Sequence, residues 1–223
     1  MGTDNLHHKR KAKQVSRLQR QNAKRKPYDK VLIVCEGEKT EPNYFNELKD
    51  HYEINTANIE IDGNCGSSPK SVVNHAINLY TKECDTDNGF DRVYCVFDKD
   101  SHGPAYEYAI NKIRELNLKN VFYAIPSVPC FEYWLLLHFE LTTSPYSATG
   151  RKSVGDLALS ELQHYFPEYT KGSNGVFLKL IGKLAEAKTH AQLSLKEAKE
   201  NATDNPSTYI HELIEYLQNI KNL

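Results

Sequence analysis

The sequence has no uninterrupted apolar run near the roughly 18 residues that a membrane-spanning helix needs. No apolar stretch follows its basic N-terminus, which argues against a secretory leader, and a cytoplasmic location without membrane attachment is expected. It also lacks any CxxC pair. The five cysteines, Cys35, Cys65, Cys84, Cys95 and Cys130, are odd in number and irregularly spaced, unlike a disulfide framework or a structural zinc site. Cys35 and Cys95 lie inside apolar runs and read as small buried hydrophobes. No repeat or low-complexity block interrupts the chain.

What is present is an ordinary globular composition, 39% hydrophobic and 26% charged over 223 residues. The net charge of −1 hides an asymmetry: residues 1–30 hold ten Lys or Arg against Asp4 and Asp29, or +8, and the rest carries −9. A basic arm on an acidic body suits nucleic-acid contact, because such side chains displace counterions from phosphates. Lys9, Arg10, Lys11, Lys13, Arg17, Arg20, Lys24, Arg25 and Lys26 are the expected contacts. A merely solvated tail is the competing reading, and His7 and His8 belong to that polar segment rather than to a metal site. Residues 1–27 form this arm, helical by composition and ended by Pro27.

Strand and helix patterns then alternate. VLIVC (Val31–Cys35) reads as a strand buried on both faces. Thr40 can cap a helix carrying Tyr44, Phe45 and Leu48. Further strands are expected at Ile59–Ile61, Val93–Phe97 and Val121–Ile125, the last ended by Pro126, with helices starting at Ser68-Pro69 and Gly103-Pro104. This alternation predicts an α/β domain over residues 28–140, with a mainly parallel sheet flanked by helices. Phe131–Phe139 (FEYWLLLHF) reads as a buried helix. Residues 141–223 read as a helical region packed on the sheet, with helices from about Ser153 to Tyr165, Val176 to Asn201, and Ser207 onward.

Sites in open parallel sheets form at the carboxyl ends of strands. Glu36 follows the first strand in CEGEKTE, and Asp98 and Asp100 follow the third in VFDKD. The one-residue spacing lets both aspartates face one point if the chain stays extended. Carboxylates gathered there suit a hard cation, Mg2+ or Mn2+, able to polarise a phosphodiester and activate water. Gly37 permits close backbone approach, and Lys39 can meet a phosphate. Glu38 and Glu41 are candidate supporting acids, although a first-turn position favouring the helix dipole explains them more simply. Glu132, in an apolar helix near the same edge, is costly to bury without a partner or metal. His138 reads as a hydrogen-bonded core histidine.

These residues resemble a known family. VLIVCEGEKTEPNYF followed by VYCVFDKD is similar to a Toprim domain, whose motif is a glutamate after the first strand and a DxD after the third. With PCFEYWLLLHF and NPST (Asn205–Thr208), the chain resembles the RloB-like proteins from about Lys26 onward. The resemblance implies a divalent-metal-dependent nuclease acting on DNA or RNA, in bacterial anti-phage defence or abortive infection. It implies Glu36 as general acid/base or metal ligand, with Asp98 and Asp100 as metal ligands; Glu132 joins them as a catalytic candidate through its place in FEYW. Expected partners are nucleic acid and an ATPase protein from the same locus, with a second copy of the chain left open. The alternative is a nucleic-acid-binding or regulatory subunit with little activity of its own. No tyrosine stands out as a topoisomerase-type nucleophile.

Overall fold

The computed structural model describes residues 28–54, 58–84, 89–100 and 102–222. The nine basic side chains from Lys9 to Lys26 therefore lie outside the described residues. Its centre is a five-stranded sheet in the order β2-β1-β3-β4-β5. Strands β1 (Val31–Cys35), β2 (Ile59–Asp62), β3 (Arg92–Asp98) and β4 (Phe122–Val128) are parallel, and β5 (Ser207–Thr208) runs antiparallel to β4.

Alternate residues of each strand feed two separate cores, as a two-residue period requires. Val31, Ile33, Cys35, Tyr94, Val96 and Ile125 face helix α1 (Thr40–His51) and the C-terminal helices. Leu32, Val34, Val93, Cys95, Phe97 and Phe122 face α2 (Pro69–Cys84) and α3 (Gly103–Glu115). Helices thus cover both faces, and the unbroken apolar strands follow from that. The five cysteines are free thiols.

The chain leaves β1 outward to β2 and then returns to place β3 on the other side of β1. The gap between the carboxyl ends of β1 and β3 is therefore a topological switch point, where such folds open a crevice. Glu36 and Asp98 flank it.

Several expected boundaries differ. Strand β4 runs through Pro126 instead of ending there. Ser127 O accepts from Lys99 N (3.0 Å), on the β3 side. By strand alternation Pro126 presents its missing N–H toward β5. There Tyr209 N donates to Pro126 O (3.1 Å), the ladder stops, and the chain turns into α8 (Ile210–Asn219). Ser207–Thr208 is accordingly a strand, not the start of the last helix. The apolar helix α4 covers only Phe131–Leu136, because an all-apolar segment has no periodicity to mark its end. The stretch from Val176 divides into α6 (Val176–Leu180), a 3-10 turn at Ile181–Lys183 and α7 (Leu184–Glu200). Helix α5 (Val154–Tyr165) starts at a Ser153/Asp156 capping box. Among the described residues no helix is long and apolar enough to cross a membrane.

Candidate functional site

The site grows from the strand ends. Glu36 continues β1, its N–H donating to Val96 O (3.1 Å), and its Oε2 accepts from Asp98 N–H at 2.9 Å. Asp98 closes β3, and its carboxyl accepts the N–H of Phe131, the first residue of α4. The next residue, Glu132, is 2% exposed. Its Oε1 accepts from Tyr169 OH (3.0 Å), and its Oε2 pairs with Lys171 Nζ at 3.4 Å.

Glu41 completes the group, in the first turn of α1 as its dipole role anticipates, but buried and turned toward the acids. A Cβ at Gly37 would stand 2.7 Å from Glu41 Oε2, so the glycine leaves room for this carboxyl where it lies. A Cβ at Gly63 would stand 2.4 Å from Gly37 O, so the turns after β1 and β2 also press together. Thr40 does not act as the cap of α1: Lys39 holds that position, and Thr40 Oγ1 accepts from Gly172 N–H at 2.9 Å.

Charge crowding follows. Burial raises the Asp98 carboxyl well above the usual carboxylate range, and Glu41, Glu132 and Glu36 push the same way. Glu41 is raised to about 7, first by burial and then by Glu132 and Glu36. Burial also raises Glu36, against the Asp98 N–H bond.

The chain leaves the extended conformation after β3, and Asp100 has φ +29°. Its N–H donates to Pro129 O (2.8 Å), and its carboxyl lies 3.6 Å from where a Gly155 Cβ would be, at the start of α5. Among the described residues its Oδ1 is buried without a partner. Asp100 still adds to the charge felt by Glu36, while His102 relieves it. Asp62, at the end of β2, pairs instead with His75 at 2.9 Å. His138 is a core histidine as expected: Nδ1 meets Trp134 O (3.2 Å), and burial lowers it to about 4.

Beside Glu36 opens a cleft of about 480 Å³, lined by Glu36–Thr40, Gly66, Ser67, Lys171 and Gly172. It includes Lys39 as expected, together with Lys171, a loop residue that carries no signal in sequence.

A hard divalent cation can be tested against this donor set. Glu36, Glu41, Asp98 and Glu132 offer only carboxylate oxygens, the set preferred by magnesium or manganese over zinc. The raised proton affinities of Glu36, Glu41 and Asp98 mark a place short of positive charge. The chemistry fits. Among the described residues, however, no three His, Cys, Asp or Glu side chains form a ready metal-holding group.

If Glu41 carries uncompensated charge, Glu41→Gln should stabilise the metal-free protein. A carboxyl with its folded pKa raised costs stability as pH climbs from the unfolded value, 4.5, to about 7. The melting-temperature gain of Glu41→Gln over wild type in EDTA should be largest above pH 7 and vanish near pH 4.5. It should amount to about 2–4 °C per kcal/mol. His138, lowered to about 4, loses stability on acidification in both proteins and cancels in the difference. A gain that does not change with pH would refute the charged-cluster account.

Sheet order and switch point define an α/β protein of the doubly wound kind, with a carboxylate-rich site at the carboxyl edge of a mostly parallel sheet. The chain belongs to the RloB-like protein family, whose family model matches residues 31–217. No curated protein and no solved structure matches it.

Proposed function

We propose that the protein is a divalent-metal-dependent nuclease of the Toprim type, cutting phosphodiester bonds in DNA or RNA. One observation carries this reading: four carboxylates, Glu36, Glu41, Asp98 and Glu132, are crowded at the switch point beside a cleft with two lysines. Asp98, Asp100 and Glu132 would hold Mg2+ or Mn2+, with Glu36 beside them. The bound cation would supply Lewis acidity toward the phosphate and acidify an attacking water.

The chain's own groups do the rest. Lys39 and Lys171 draw a phosphate into the cleft. Glu36 accepts the proton of the attacking water, and its raised proton affinity brings it nearer the working pH, where proton transfer is most efficient. Family membership is the support for a place in anti-phage defence beside an ATPase partner.

The test is incubation with plasmid, single-stranded DNA, total RNA and transfer RNA, in Mg2+, Mn2+ or EDTA, with and without the neighbouring ATPase. Metal-dependent cleavage of at least one substrate is expected; none in any condition defeats the proposal. A second reading, a nucleic-acid-binding regulatory subunit, is favoured by the lack of a ready metal-holding group among the described residues. Under either reading, deleting residues 1–26 should weaken nucleic-acid binding and flatten its dependence on salt, each lost phosphate contact lowering the log–log slope by about 1. Identical slopes would make the arm a solvated tail.

A further inference from the structure

Residues 169–172 form a strap that crosses the strand edge from the C-terminal region. Tyr169 OH bonds Glu132, Lys171 pairs with Glu132, Gly172 N–H donates to Thr40 Oγ1, and Gly172 O accepts from Asn43 Nδ2 at 3.0 Å. Gly172 itself has φ +78°, and a Cβ there would meet the Lys39 Cβ at 3.1 Å, so the strap lies flat against the start of α1. Its backbone is therefore fixed while the Lys171 side chain is not enclosed: that side chain is 57% exposed, against 2% for Glu132.

The consequence is a cation with two destinations. A buried carboxylate needs a counter-charge, and Lys171 provides one from a pinned backbone. The same lysine lines the cleft beside Glu36 and Lys39. Its field reaches Glu41, and it feels Asp98 as well as Glu132, so it acts on the cluster as a whole. A long, flexible side chain with a compact ammonium head can change partners without moving the backbone.

We propose that Lys171 is an exchangeable counter-ion of the site: it neutralises Glu132 while no divalent cation is bound, and turns to a substrate phosphate when one arrives. This rests on the nuclease reading and deepens it. Lys171 is then a positioning residue that makes metal and nucleic acid help one another, because the ion frees the lysine that the phosphate needs.

The test uses the full chain and two readouts other than cleavage. Mn2+ affinity is measured by calorimetry without nucleic acid, and affinity for a short oligonucleotide is measured in Ca2+. Lys171→Met should bind Mn2+ about fivefold or more tightly, because the competing ammonium is gone. The same variant should bind the oligonucleotide more weakly, with Lys171→Arg restoring much of that loss. Lys39→Met removes an equal charge from the cleft but leaves Glu132 paired, and should tighten Mn2+ far less. Equal tightening in both variants would reduce the effect to general electrostatics and overturn the exchange. Unchanged Mn2+ affinity in Lys171→Met would overturn it too, leaving the nuclease reading intact. A wild-type chain that binds no Mn2+ would defeat the metal reading and the exchange with it.

Discussion

Glu36→Gln is expected to lower phosphodiester cleavage by about 10²–10⁴-fold, the range for losing a positioned general base. The amide keeps an oxygen to accept the Asp98 N–H, so the strand ends stay joined and the loss should lie in chemistry rather than folding. Asp98→Asn should be similarly inactive for a different reason. Its carboxyl is held well above the usual range by burial and by Glu41, Glu132 and Glu36, so neutralising it removes repulsion and should raise the melting temperature in EDTA. An inactive variant more stable than wild type is the signature of a residue kept for function. Cleavage within about tenfold of wild type in either variant, against the losses expected here, would mean the reaction occurs elsewhere. A fall in stability for Asp98→Asn would mean its hydrogen bonds outweigh its repulsions.

The second large effect concerns the core beneath the site. Trp134 is fully buried, its indole N–H donates to Tyr44 OH at 3.0 Å, and Tyr44 is ringed edge-on by Phe45, Phe131 and Phe177. Trp134→Ala should cost about 3–5 kcal/mol through lost burial and the cavity left behind. Trp134→Phe keeps most of the volume but leaves a buried hydroxyl short of its donor, and should cost about 1–3 kcal/mol. Denaturant unfolding measures both, and the order matters. If Phe were as damaging as Ala, hydrogen bonding would dominate packing here. Trp134 sits two residues from Glu132 on the same short helix, so Trp134→Ala should also blunt the site.

How much of this was legible depended on whether a residue's role left a periodic mark. VLIVC and VYCVF could be read because strands covered on both faces must be apolar throughout, and Glu36 and Asp98 could be placed because each immediately follows one. Strand β5 could not: two residues show no alternation, and Ser207 and Thr208 look like any cap. The end of α4 was hidden by FEYWLLLHF being apolar on every side. The turn at Asp100 could not be read, because a positive φ is invisible in the letters DKD. Glu41 looked like a first-turn acid, which it is; its second role depends on Gly37 leaving room for the carboxyl. Lys171 gave no sign at all, since an exposed lysine in a polar loop is unremarkable until the loop is seen lying over Glu132.

The strap also limits how far the molecule can be pared down. Thr40 and Gly172 are bonded although 132 positions separate them, and Glu132 takes a phenol and an ammonium from the same distant loop. A fragment ending near residue 140 would retain every acid of the Toprim-like motif yet strip Glu132 of its phenol and its ammonium. The edge strand β5 and the packing helices would go with them. Such a piece carries a complete signature and an unfinished site, so sequence searches for the motif alone will find these acids without the part of the chain that holds them in balance.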